Sequence, residues 1–134
     1  MMMALALGGL VLCHSLFSRS AVVLGVQCAA VALMIWARVT FGRRSFHPSA
    51  NPTTGGLVTT GPYRLIRHPI YTAACLFGWA GVLAHWSAIN GFLGVILLAG
   101  AFIRMLCEER LVAIAYPTYR EYARATKRMV PYIF

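Results

Sequence analysis

The stretch AINGFLGVILLAGAFIRML, residues 88–106, carries a single charged side chain, Arg104, close to its end. A helix needs about 20 mainly apolar residues to cross a hydrocarbon core of about 30 Å, so this run reads as a membrane span. Working outward, apolar segments also cover 1–17, 21–39 and 70–86. The 21–39 segment has span length, whereas 1–17 and 70–86 are shorter and are expected to cross with little tilt or to begin in the interface. Met1–Phe17 lacks a basic start and a small-residue cleavage site, so it is expected to be a retained span rather than a signal peptide. Of the 134 residues, 60% are hydrophobic and 11% charged, with a mean hydropathy of +0.71. A soluble domain of this size needs more polar cover than that. The expected fold is all-α and integral to a membrane, with about four transmembrane helices, a long cytoplasmic loop and a C-terminal interfacial helix.

Twelve Lys and Arg against three acids give a net charge of +9. The cations flank apolar runs instead of covering a soluble face, which argues against nucleic acid as a partner and for membrane lipids. The connection between Arg38 and Pro69 holds Arg38, Arg43, Arg44, Arg64 and Arg67, and the tail holds Arg110, Arg120, Arg124, Lys127 and Arg128. The turn around His85–Asn90 has no full charge, and the turn near residue 19 has only Arg19. The positive-inside rule then puts both termini and the 40–69 connection in the cytoplasm. Cys13, Cys28, Cys75 and Cys107 lie in separate apolar stretches with no C-x-x-C pair, and are expected to be small buried residues.

Residues 42–62 are rich in Gly, Pro, Ser, Thr and Asn and read as a loop ending in the turn residues Thr59–Pro62. Pro69 suits the first turn of the third span, where its missing N–H is no loss. Leu106, Leu111 and Ile114 continue the last span's apolar stripe toward Pro117. Thr118 and Glu121 have capping-box spacing, so a last helix is expected from Tyr119, with Tyr119, Tyr122, Ala123 and Thr126 on one face. Its cations suit the headgroup region.

Besides Glu121, the acids are Glu108 and Glu109, at the cytoplasmic end of the last span. Arg104 is one turn from Glu108, so a simple ion pair would account for them locally. Opposite them, Gly61–Tyr71 packs two arginines, a histidine and two tyrosines around a helix start, where free N–H groups favour an anion. A topogenic anchor with belt aromatics would also account for that segment. Together the two segments suit a zwitterionic ligand, although these residues alone do not single one out. A drug-transporter of similar size would need an acid within a span, and none lies away from a span end. A haem protein would need paired histidines, for which only His14 and His85 lie in or at spans.

The runs TTGPYRLIRHPIY (59–71) and RMLCEERLVAIAYPTYREY (104–122) together resemble the isoprenylcysteine carboxyl methyltransferase family of membrane enzymes. The shared pattern is G-x-Y-x-x-x-R-H-P-x-Y, then R-x-x-x-E-E, then Y-x-x-Y, covering residue 55 to the C-terminus. The chain thus reads as one methyltransferase-like domain, with a helical N-terminal part (1–54) and a cofactor-binding core (55–134). The resemblance implies S-adenosylmethionine as methyl donor and a lipophilic substrate. It implies cofactor contacts at Gly55, Gly56, Leu57, Val58, Tyr63, His68, Pro69, Ile70, Tyr71, Glu108 and Glu109. Arg104 would face a substrate carboxylate, with Arg67 in an electrostatic role between the two. An amine acceptor would instead need a proton acceptor, for which Glu109 or His68 would serve. The chain departs from the family at Tyr116-Pro117, where Phe-Gly is common, and at Ala73, where Gly is frequent. The same C-terminal pattern recurs in phospholipid N-methyltransferases and membrane sterol reductases, and a non-catalytic protein of the same fold is a further alternative.

Overall fold

The computed structural model describes residues 1–42 and 57–134. Five α-helices make up the described chain: α1 (Met2–Leu12), α2 (Ala21–Phe41), α3 (Pro69–Ala84), α4 (Ala88–Ala115) and α5 (Tyr119–Ala125). A 3₁₀ turn over Gly61–Arg64 precedes α3. Two helices, α2 and α4, are long and apolar enough to cross a membrane. At 11 and 16 residues, α1 and α3 are shorter, and four spans are therefore not established by helix length. Most large apolar side chains on the outer faces of α2 and α4 are exposed, among them Val22, Ile35, Val39, Ile89, Phe92 and Val95. Lipid is the solvent that accepts such a surface, so the chain is a membrane protein.

The first four helices alternate in direction. Met2 and Met3 lie against Gly100, while Gly9 lies against Leu93, so α1 runs antiparallel to α4. Thr40 and Phe41 reach the 3₁₀ turn just ahead of α3, and Gln27 and Gly81 both meet Leu16, so α2 and α3 are antiparallel. Small residues allow the close approach, as is usual between membrane helices. A Cβ on Gly81 would sit 2.5 Å from the Ser15 carbonyl oxygen. Ala6, Cys75, Leu97 and Ala101 form one core cluster; Leu10, Leu16 and Val82 form another.

Hydrogen bonds tie the end formed by the α1–α2 and α3–α4 turns. Asn90 Nδ2 donates to Ser15 Oγ at 2.8 Å, and His85 Nε2 donates to the Phe17 carbonyl at 2.8 Å. Gln27 Nε2 donates to the Leu16 carbonyl. Ser87 caps α4 by accepting from Asn90 N.

Several expectations are met: Pro69 opens α3, α4 continues to Ala115, and α5 starts at Tyr119 with Tyr119 and Thr126 buried. Two are corrected. Thr118 precedes α5 without a side-chain cap bond, because it already has helical dihedrals (φ −72°, ψ −9°) instead of the extended ones a capping box uses. Of the cysteines only Cys75 is buried; Cys13, Cys28 and Cys107 are exposed. In a helix apolar all round, residue type does not separate the lipid face from the core face.

Candidate functional site

Antiparallel packing brings the start of α3 beside the far end of α4, which sets Arg67–Tyr71 against Arg104–Glu109. The adjacent glutamates point into different surroundings, as successive helical residues do. Glu108 Oε1 accepts from the Tyr71 hydroxyl at 2.5 Å and from Arg104 Nε at 3.2 Å. Arg104 Nε also donates to the Tyr71 oxygen at 2.7 Å, closing a triangle. Glu108 Oε2 is turned toward His68, 3.9 Å from Nδ1, and the Glu108 side chain is 23% exposed. The His68 and Tyr71 rings stack with centroids 5.7 Å apart.

Glu109 is enclosed. It accepts from Arg67 Nε at 3.0 Å, from Arg128 Nε at 3.1 and 3.3 Å, and shares a 3.3 Å hydrogen bond with His68 Nε2. These charge-assisted bonds leave the side chain 13% exposed. Arg67, 9% exposed, also donates through Nη1 to the carbonyls of Ala123 and Thr126, closing the end of α5.

The backbone after α5 splints the basic segment. Arg67 N donates to the Lys127 carbonyl at 2.7 Å, His68 N to the Arg128 carbonyl at 2.9 Å, and Lys127 N to the Leu65 carbonyl at 3.2 Å. Ile66 and Lys127 form a parallel bridge, and Thr72 Oγ1 donates to the Met129 carbonyl at 2.9 Å. The orientation of His68 is therefore set partly by the C-terminal segment.

Three tyrosines support this end from within. Tyr63 is buried with its ring 5.4 Å from that of Phe41, and its carbonyl accepts from the Tyr122 hydroxyl at 2.6 Å. Burial raises the Tyr63 pKa, helped by Tyr122 and Glu108 and opposed by Arg38. Burial also pushes Tyr122 up to about 12, against the pull of Arg67 and Thr126. Tyr119 rises to about 12 through burial and the Glu109 charge.

The structure thus brings together Arg67, His68, Tyr71, Arg104, Glu108 and Glu109. Pro69 is fully buried and Ile70 half-buried at the start of α3, while Leu57 and Val58 are half-buried ahead of the 3₁₀ turn. Gly55 and Gly56 lie outside the described residues. Sequence reasoning missed Arg128 as a partner of Glu109. Arg120, Arg124, Lys127 and Arg128 look alike in sequence, and only the fold shows which of them turns back onto an acid.

Along α3, one turn past Tyr71, an apolar cavity of about 260 Å³ opens among Leu7, Ala30, Val31, Met34, Ala73, Ala74 and Phe77. The alanines leave the space and exposed Val31 stands at its edge. Among the described residues, no group of three or more His, Cys, Asp or Glu side chains is placed to hold a metal ion.

Fold and site define an all-helical membrane protein with polar chemistry gathered at one end of its bundle. Residues 21–119 match the phospholipid methyltransferase family, and the chain belongs to it; that family falls within the isoprenylcysteine carboxyl methyltransferase-like membrane methyltransferases. Among curated proteins it is 34% identical over 113 residues to the cobalt-zinc-cadmium resistance protein CzcN of Cupriavidus metallidurans, covering 81% of this chain and 46% of that one. It is 32% identical over 113 residues to the nickel-cobalt-cadmium resistance protein NccN of Alcaligenes xylosoxydans xylosoxydans, covering 81% of this chain and 47% of that one. The chain spans about half the length of these curated relatives. No solved structure matches it.

Proposed function

We propose that the chain is a multi-pass, membrane-embedded methyltransferase that uses S-adenosylmethionine at its cytoplasmic face to methylate a lipophilic acceptor. The observation that carries this reading is Glu108, with one oxygen tied to Tyr71 and Arg104 and the other turned toward His68. A partly exposed carboxylate with remaining acceptor capacity suits the hydroxyls of a ribose. The donor side fits too: the first turn of α3 offers N–H groups without intrahelical partners beside the His68 ring, a setting for a carboxylate. Tyr71 and Glu108 would then hold the cofactor. Glu109 and Arg67, tied to each other and to the end of α5, would hold the shape of its pocket.

When bound, the cofactor supplies an electrophilic methyl group on a sulfonium. The chain has to orient the acceptor and exclude water, and orientation supplies roughly 7–11 kcal/mol in well-aligned reactions. Arg104, fixed through Nε by Tyr71 and Glu108, is a rigid cation suited to aim a carboxylate, so carboxyl O-methylation is the first reading. The apolar cavity one turn away suits part of the acceptor's hydrocarbon, entering from the bilayer. The family match favours a second reading, an amine headgroup, for which His68 would serve as proton acceptor. The relatives' names specify no methyl acceptor.

Arginine placement supports four spans with both ends in the cytoplasm. Titrating S-adenosylhomocysteine calorimetrically into wild type and Glu108→Ala tests the cofactor assignment. At least tenfold weaker binding is expected; equal affinity in a folded variant would sink it. Labelled methyl donor added to membranes separates the acceptors, because esters release label in base and amines keep it.

A further inference from the structure

The end of the bundle that carries the site also holds cations the site does not use. Arg110 on α4, Arg120 and Arg124 on α5, and Lys127 on the splint are all exposed. The ion pairs among the described residues engage Arg67, His68, Arg104 and Arg128 instead. α5 buries Tyr119 and turns Tyr122 and Ala123 inward, so Arg120 and Arg124, one turn apart, share its outer side with a single acid, Glu121. Directly after the splint come exposed apolar residues, Val130, Tyr132 (86% exposed) and Ile133 (78%). The tail then folds back onto the outer surface of α4: the Phe134 ring stacks on exposed Phe102 at 6.3 Å, under the Arg128 guanidinium at 5.4 Å.

A basic helix face joined to an exposed apolar tail, resting on the outer side of a membrane-length helix, has the composition of an interfacial segment. We propose that Arg110, Arg120, Arg124 and Lys127 dock on anionic phospholipid headgroups of the surrounding bilayer while Val130–Ile133 enters its interface. Docking holds the Lys127–Met129 splint against Arg67–His68, so the geometry of His68 responds to lipid charge. Each basic residue near an anionic surface contributes about a fivefold factor in affinity. The effect is screened by salt. The inference rests on membrane residence and not on the methyl-transfer reading, since no cofactor enters it.

The amides of Arg67, His68 and Lys127 are the reporters, because each makes a splint hydrogen bond. Their hydrogen exchange is followed for the full chain in nanodiscs of phosphatidylcholine with and without phosphatidylglycerol. In wild type, phosphatidylglycerol is expected to slow exchange several-fold and molar salt to abolish the difference. The variant R110Q/R120Q/R124Q loses the lipid effect, whereas R110K/R120K/R124K keeps it. Equal exchange of wild type in the two lipids, or a lipid effect that survives in the glutamine variant, overturns the proposal. So does protection by a DNA oligonucleotide in neutral nanodiscs without protection by phosphatidylglycerol, which would assign the face to nucleic acid. The wild-type salt response decides the matter if the glutamine variant does not fold.

Discussion

At the residue scale, two neighbouring carboxylates differ because of what surrounds them. Glu109 bridges Arg67, His68 and Arg128, so its removal leaves the Arg67 guanidinium, 9% exposed, without its counter-charge and beside a second cation. Breaking a buried ion pair costs about 3–5 kcal/mol. Glu109→Ala is therefore expected to lower the thermal midpoint in detergent sharply, whereas Glu108→Ala leaves it near wild type. Circular dichroism melts separate the two outcomes, and equal melts would refute the division of labour. Tyr119 and Tyr122 add a pH dependence. Their phenols ionise near 10 in the unfolded chain but near about 12 in the fold. The folded state holds more protons in between, so stability is complete below pH 10 and falls as pH rises toward 12. Melting midpoints across that range should decline, and less steeply in Tyr122→Phe. The glutamate pair was legible in sequence because acids are so rare in this chain; which glutamate is enclosed was not, since the partner Arg128 comes from a tail of similar cations.

At the element scale, helix existence was legible and helix ends were less so. Long apolar runs fix α2 and α4, and Pro69 marks where α3 opens. The apolar run 1–17 outlasts α1, which ends at Leu12; the chain then turns through His14 at φ 50°, and Ser15 is bonded into the interior by Asn90. That turn answers to a tertiary contact, which apolarity does not encode. The same crowding yields a test of the packing. Gly81→Ala would push a methyl group against the Ser15 and Leu16 carbonyls, at 2.5 and 2.9 Å, and backbone cannot swing aside. Overpacking of this kind costs about 1–3 kcal/mol. Gly25→Ala, with nothing within 4 Å of the new atom, should be neutral or stabilising through helix propensity. Thermal unfolding of the pair, expected to diverge in this direction, checks the contact between α3 and the α1–α2 turn.

At the scale of the whole molecule, alternating helix directions gather the N-terminus, the 3₁₀ turn, the start of α3 and the end of α4 at one end of the bundle. The uncharged His85–Asn90 turn and the Cys13–Leu16 turn meet at the other. A 28-residue α4 is longer than the about 20 residues a span requires. If its start lies at one face of the hydrocarbon, Glu108 and Glu109 emerge just beyond the other, where water can carry a polar reactant and lipid an apolar one. Two exposed natural cysteines report on this arrangement: Cys13 follows α1 at the turn end, and Cys107 precedes Glu108 at the site end. With α1 to α4 all crossing, a membrane-impermeant maleimide should label Cys13 from outside intact cells and Cys107 only in inverted vesicles. Cys28 and Cys75, within α2 and α3, should resist it from both sides until detergent is added. Labelling of Cys13 and Cys107 from the same face would mean an even number of crossings among α2, α3 and α4, so that with α2 and α4 spanning α3 does not cross and the four-span arrangement falls.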